Sequence, residues 1–114
     1  MPHAPGTSAL HPLGNATEPM LYALGHPVRR WMLVAAVMEG RVSAREVLLE
    51  WPALRRGWDL SVIFRRLADQ GLLRPLGARE RHAQYYGPGP RLREELTELH
   101  TLTGDLLAAL EVQK

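Results

Sequence analysis

The sequence predicts a mainly α-helical fold with one small β-hairpin, in a single domain that continues into a long C-terminal helix. Apolar residues recur at helical spacing in four segments before residue 71, and the pattern becomes extended between residues 72 and 87. From residue 92 onward leucines return at steps of four and three. The 114 residues are enough for one core and leave no room for a second.

Composition excludes several classes of function. Cysteine is absent, which removes disulfides, thiolate metal sites, iron–sulfur clusters and cysteine nucleophiles. The longest apolar run, residues 31–38, is much shorter than the ~20 residues that a membrane helix needs. The N-terminus lacks the pattern of a secretory signal, so we expect a cytoplasmic protein. We expect neither an enzyme nor a cofactor, because no catalytic triad, phosphate-binding glycine loop or metalloprotease motif is recognisable.

The net charge of +2 conceals an uneven distribution. Residues 21–93 contain 13 arginines against six acidic residues, a net +7, whereas residues 94–114 carry −4 and residues 1–20 carry −1. The planar guanidinium of arginine suits phosphates and base edges better than the ammonium of lysine. A basic middle favours a polyanion such as double-stranded DNA as the partner. Codon bias toward arginine is the alternative explanation.

The N-terminal part of the chain divides into a leader and two helices. Residues 1–16 show no apolar period and are interpreted as a mobile leader, ahead of a domain that spans residues 17–90. A first short helix is followed at once by a second one. We predict that His26 caps this second helix, that Pro27 starts it and that Gly40 ends it.

The third and fourth helices carry cap signals. Ser43 and Glu46 have the spacing of a capping box, which predicts a third helix that ends at Trp51, before a proline. Asp59 is the predicted N-cap of the fourth helix, and Gly71 is its stop. The outward face of the fourth helix comprises Ser61, Val62, Arg65 and Arg66.

Extended segments follow the fourth helix. Residues 72–76 and 83–87 are predicted to pair as a hairpin with a basic tip at residues 77–82. Pro75 has no N–H to donate, so we expect it at a sheet edge or a bulge.

The C-terminal segment, residues 91–114, has the leucine spacing of a helix that packs lengthwise against another helix. We interpret it as a dimerisation helix, because one copy would leave the leucine stripe exposed. The alternative is that the stripe folds back onto the core of its own chain. The leucines expected at the dimer contact are Leu92, Leu96, Leu99, Leu102, Leu106 and Leu110.

This order of elements resembles a winged helix-turn-helix, and in detail it is similar to the ArsR-like transcriptional regulators. The resemblance is carried by residues 24–30 at the second helix, 43–48 at the first helix of the motif, 60–73 at the recognition helix and 79–86 at the wing. The chain departs from the family in two respects. Its segment 51–58 is longer than the usual turn of the motif, and the family's cysteine metal motif is absent.

The resemblance implies a homodimeric, sequence-specific DNA-binding regulator, a repressor rather than an activator, whose recognition helix enters the major groove. A solvated helix face with acidic partners is the alternative reading of its arginines. An unidentified small effector is left open, and no metal is expected, since Glu98 and His100 diverge on a helix. The residues expected to contact DNA are Arg55, Arg56, Trp58, Ser61, Val62, Arg65, Arg66, Arg79 and Arg81.

A second hypothesis belongs to a different class of protein. The fold could serve as a protein-interaction module that docks on a larger complex without reading DNA. Two tryptophans, Trp51 and Trp58, flank the inserted segment and could together present an apolar contact to a partner.

Overall fold

The computed structural model describes residues 14–56, 59–80 and 83–113. Within these ranges the chain forms five α-helices and a small three-stranded antiparallel sheet, which confirms the predicted mainly α class with its hairpin. The elements in chain order are α1 (Gly14–Leu24), α2 (Pro27–Glu39), β1 (Val42–Ser43), α3 (Ala44–Glu50), a 3-10 helix (Pro52–Arg56), α4 (Leu60–Asp69), β2 (Leu73–Glu80), β3 (Ala83–Pro88) and α5 (Leu92–Val112).

The first helix begins earlier than the sequence predicts. Residues 14–16, which the apolar pattern assigns to the leader, form the first turn of α1. Their one apolar side chain, the methyl group of Ala16, is too little to mark a helical face, which is why the pattern misses them. Residues 1–13, the remainder of the predicted leader, lie outside the described residues.

The predicted caps of α2 and α3 are present. His26 Nδ1 accepts a hydrogen bond from the Val28 N–H at 3.1 Å, and Gly40 ends α2 in the left-handed region with a φ of 82°. At α3 the Ser43 N–H donates to the Glu46 carboxylate at 2.9 Å, and the Glu46 N–H donates to Ser43 Oγ at 3.4 Å. These bonds satisfy amides that the first turn of a helix leaves unpaired. The helix ends are therefore set by residues close to them in sequence.

The sheet has the strand order β1–β3–β2, so the predicted hairpin supplies two of its three strands. β1 is only two residues long, too short for an alternating pattern to reveal it. β2 and β3 are paired as far as Glu80 and Ala83, so residues 77–80, predicted in the turn, belong to the strand.

Pro75 lies on β2, an edge strand, and the register shifts between it and Arg79. This placement confirms the expectation that a residue without an N–H sits at an edge or bulge. The Gln84 side chain donates a hydrogen bond of 2.8 Å to the carbonyl of Leu76, so a backbone acceptor at the irregularity is paired across the two strands.

The core lies where α1, α2, α4 and the base of α5 meet the sheet. Burial of these apolar side chains is the main favourable contribution to folding. The buried apolar residues are Met20, Ala23, Val28, Met32, Leu33, Ala36, Val42, Val47, Leu60, Phe64, Leu67, Leu72, Leu73 and Leu92.

The start of α5 is held against the start of β2 by backbone hydrogen bonds. The Gly89 N–H donates to the Leu72 carbonyl, and the Arg91 N–H donates to the Gly71 carbonyl, both at 2.9 Å. A Cβ at Gly89 would overlap the Gly71 carbonyl, so the approach of the two backbones requires glycine there. In the described ranges, no helix combines the length and the apolar character needed to cross a membrane.

α5 carries a buried acid. Glu95 has no exposed surface, and neither of its carboxylate oxygens has a hydrogen-bond partner. Arg91 Nη2 lies 3.9 Å from one of these oxygens. Loss of hydration raises the pKa of Glu95, the Arg91 charge opposes that rise, and the neighbouring acids Glu98 and Glu94 add to it.

The raised pKa of Glu95 makes stability depend on pH. The folded chain holds the Glu95 proton to a higher pH than the unfolded chain, so the free energy of unfolding falls as pH rises above the unfolded pKa. We expect Glu95→Gln to remove this fall and to stabilise the protein at pH 7. Urea unfolding of the variant from pH 4 to pH 8 measures the effect, with Glu50→Gln, at an exposed position of α3, as the control. A Glu95→Gln profile parallel to that of the wild type would contradict it.

Candidate nucleic-acid interface

α4 has one buried and one exposed face. Its apolar residues Leu60, Phe64 and Leu67 are buried in the core. Opposite them the helix exposes a compact set of side chains of the types that contact DNA bases and phosphates. The exposed set is Ser61, Val62, Arg65 and Arg66.

Asp59 organises the N-terminus of α4. Its carboxylate accepts hydrogen bonds from the Ser61 hydroxyl at 2.7 Å and from the Val62 N–H at 3.3 Å. These two bonds, in that order, lower the pKa of Asp59, and the charge of Arg65 lowers it further. The Ser61 hydroxyl proton is therefore engaged, while the lone pairs of Ser61 Oγ can still accept a hydrogen bond.

The buried side of α4 rests on the sheet. The rings of Phe64 and Tyr86 stack with centroids 4.7 Å apart and an interplanar angle of 17°. Tyr86 lies in the central strand, where it pairs with Val42 on one side and Pro75 on the other. The stack therefore couples the position of α4 to the hairpin.

The structure brings three of the predicted DNA-contacting residues together. Ser61, Val62 and Arg65 share the exposed face of the first turns of α4. Arg66 lies to one side, with its guanidinium carbon 4.0 Å from the centroid of the Tyr22 ring. The sequence reading of an outward face is correct for all four, but it does not reveal this aromatic contact.

The other predicted contacts fall at the limits of the described structure. The backbones of Arg55 and Arg56 end the 3-10 helix, and Arg79 pairs with Gln84 in the wing. The side chains of these three arginines lie outside the part of the chain that is described. Trp58 and Arg81 lie entirely outside the described residues.

A further arginine outside the predicted set stands over an aromatic ring. The guanidinium carbon of Arg41 is 4.2 Å from the centroid of the Tyr85 ring. Ser43, two residues after Arg41, pairs with Tyr85 between β1 and β3. The pairing that brings the two side chains together joins distant parts of the chain, so no local pattern signals it.

The predicted dimerisation leucines divide into two groups along α5. Leu92 is buried in the core of its own chain, and Leu99 packs against that core, as the fold-back alternative expects. Leu102 is half-buried. The remaining members are exposed, with values of 42% for Leu96, 56% for Leu106 and 60% for Leu110.

The apolar surface of α5 extends beyond those leucines. Leu107 and Val112 are exposed as well, at 61% and 86%. The first half of the helix therefore serves the core, and the second half leaves an uncovered apolar face. α1 packs against α5.

The Trp51 side chain is half-buried and packs against the core. Its ring meets that of Trp31 edge-to-face, with centroids 5.6 Å apart and an interplanar angle of 88°. Both rings pack against the buried core. Trp51 therefore does not stand out from the surface as the interaction-module hypothesis requires.

A depression of about 650 Å³ lies between the C-terminal part of α2 and the start of α5. Among the described residues, no group of three or more His, Asp or Glu side chains could hold a metal ion. The lining residues are Val37, Pro88, Gly89, Pro90, Leu92, Arg93, Leu96 and Thr97.

Comparison with known proteins identifies the fold. No protein family and no curated protein matches the chain by sequence. The crystal structure of an ArsR family transcriptional regulator matches it with a TM-score of 0.56 and 16% sequence identity, over 84% of this chain and 91% of that one. The resemblance inferred from the sequence is thereby confirmed at the level of structure, and the chain has a winged helix-turn-helix fold similar to that of this regulator.

Proposed function

We propose that this protein is a sequence-specific DNA-binding transcriptional regulator that acts as a homodimer and represses by occupying a partly palindromic operator. The observation that carries the proposal is the exposed face of α4, where Ser61, Val62 and Arg65 stand together. Phe64, on the opposite face, stacks on Tyr86 and holds the helix against the sheet. The fold shared with an ArsR family regulator adds support.

The exposed face of α4 has chemistry that suits the major groove. Ser61 Oγ, already donating to Asp59, is free to accept a hydrogen bond from the exocyclic amine of adenine or cytosine. The methyl groups of Val62 fit against a thymine methyl. Arg65 can donate two parallel hydrogen bonds to guanine or neutralise a phosphate.

The arginines around α4 would supply phosphate contacts. Arg55 and Arg56 lie five and four residues before Leu60, the first residue of α4, and Arg79 and Arg81 belong to the wing segment of the sequence. Phosphate contacts position a protein on the duplex, whereas base contacts discriminate among sequences. We assign the first role to these four residues and the second to the N-terminal part of α4.

Self-association would place two copies of α4 on one face of the DNA. The exposed Leu106, Leu107 and Leu110 of α5 form the apolar surface that a second copy would cover. Two-fold symmetry would then present the recognition helices to successive major grooves, ~34 Å apart. This geometry is the reason for expecting a palindromic operator.

The interaction-module hypothesis needs both tryptophans at the surface, but Trp51 packs on Trp31 against the core. Trp58 keeps that hypothesis testable. Trp58→Ala is expected to leave the fold intact and to weaken DNA binding. Loss of a protein partner with unchanged DNA affinity would favour the module instead.

The defining experiment is a fluorescence anisotropy titration of the protein against the DNA upstream of its own gene and against an unrelated duplex of equal length. We expect the upstream DNA to bind tighter by ~10³-fold or more, as a specific site requires. Equal, weak and salt-sensitive binding to both duplexes would contradict sequence-specific recognition.

The arginines of the proposed interface should determine the salt dependence of binding. Each lost phosphate contact reduces the slope of log K against log salt by about 0.9. We expect Arg55→Ala, Arg56→Ala and Arg65→Ala together to weaken binding and flatten that slope. Arg30→Ala, which removes an exposed arginine from α2, is the control and should leave the slope unchanged. An unaltered slope in the triple variant would refute the assignment.

The apolar half of α5 should control the oligomeric state. Leu106→Glu with Leu110→Glu places charges on the exposed face without disturbing the core, so we expect a folded monomer with weaker operator binding. Light scattering coupled to size-exclusion chromatography measures the mass, and circular dichroism checks the helix content. Val34→Glu, at a 56% exposed position on α2, is the matched control and should remain dimeric. A dimeric double variant would place the interface elsewhere.

A further inference from the structure

Tyr22 joins three helices at one point. Its carbonyl accepts a hydrogen bond of 2.7 Å from Arg29 Nε, and the guanidinium carbon of Arg29 lies 4.1 Å from the centroid of its ring. The guanidinium carbon of Arg66 lies 4.0 Å from the same centroid. A tyrosine of α1 is therefore contacted by an arginine of α2 and by an arginine of the recognition helix α4.

The contact between Tyr22 and Arg66 lies at a surface depression between α1 and the C-terminal half of α4. A depression of about 500 Å³ opens between residues of α1 and of the C-terminal half of α4, and Tyr22 and Arg66, which are in contact, both line it. The residues that line the depression are Glu18, Pro19, Leu21, Tyr22, Arg66 and Gln70. The contact between Arg66 and Tyr22 therefore joins α4 to α1 at the lining of this depression, outside the buried core.

Arg65 and Arg66 are neighbours with different surroundings. Arg65 lies close enough to Asp59, at the N-terminus of α4, for its charge to lower the pKa of that carboxyl. Arg66 lies one position further on, and its guanidinium is held over a ring on α1, a helix that packs along α5. Arg65 and Arg66, although adjacent and of the same residue type, are therefore suited to different roles.

We propose that Arg66 is a positioning residue, which fixes the recognition helix to the α1–α5 part of the molecule through the Tyr22 ring rather than binding a phosphate. This inference rests on the proposed DNA-binding function. The cation over the ring stabilises one orientation of α4, and DNA binding requires that orientation in both copies of the dimer. Changes in the packing of α1 on α5 would reach α4 through this contact.

The test separates positioning from phosphate binding by the salt dependence of operator affinity. Arg66→Ala and Tyr22→Leu should each weaken binding by roughly two- to fivefold, the effect of losing one exposed cation–π contact, without altering the slope of log K against log salt. The double variant should bind no more weakly than the weaker of the two single variants. Tyr22→Phe, which keeps the ring, should bind as the wild type does.

Two results would overturn the inference. One is a slope reduced by about 0.9 in Arg66→Ala, which would identify a lost phosphate contact. The other is additive loss in the double variant, which would mean that the two side chains act independently. Arg56→Ala, which removes an arginine assigned above to a phosphate, is the control and should reduce the slope by about 0.9.

A measurement without DNA distinguishes failure of this inference from failure of the proposed function. Urea unfolding of the wild type, both single variants and the double variant gives the coupling between Tyr22 and Arg66 directly. We expect Arg66→Ala to shift the unfolding constant in the Tyr22 background and not in the Tyr22→Leu background. Equal shifts in both backgrounds would overturn the contact, whether or not the protein binds DNA. Coupled shifts in a protein that binds no DNA would instead refute the proposed function.

Discussion

Phe64 and Tyr86 stack face to face, and the position of α4 relative to the sheet depends on this contact. Phe64 is the single phenylalanine of the chain and is 1% exposed. Tyr86 occupies the middle strand and is paired on both sides, so it cannot move without disturbing the whole sheet. The Tyr86 ring is therefore fixed by the sheet. Because the Phe64 ring stacks on it, the opposite face of α4 is directed toward solvent. Stacked aromatic rings bury apolar area and also favour one relative orientation of the two side chains, whereas an aliphatic pair only buries area.

The features that the sequence predicts correctly are those encoded by residues close together in the chain. The capping box of Ser43 and Glu46 and the cap at Asp59 act within one helical turn, so the starts of α3 and α4 follow from local sequence. The pairing of β1 with β3 joins Val42 to Tyr86, and no local period encodes it. The hairpin was therefore predictable, and the third strand was not.

In the candidate site, too, locally encoded features are predictable from the sequence and contacts between distant segments are not. Helical periodicity places Ser61 and Arg65 on the exposed face of α4, because the period alone separates the buried side from the exposed one. It does not show that Arg66 faces Tyr22, since that contact depends on how α1 approaches α4. The leucine repeat of α5 is likewise visible in the sequence. Only the packing of the other helices reveals that its first part is covered and its second part is not.

The close approach of Gly89 to Gly71 has a consequence for how this fold can change. The two backbone hydrogen bonds there tie the end of the hairpin to its beginning, so the wing is closed at its base. Residues added or removed at its far end would alter its reach without transmitting a shift to α5. The length of the wing and the position of α5 are thus separable properties. An engineer, or evolution, can adjust one of them while leaving the other in place.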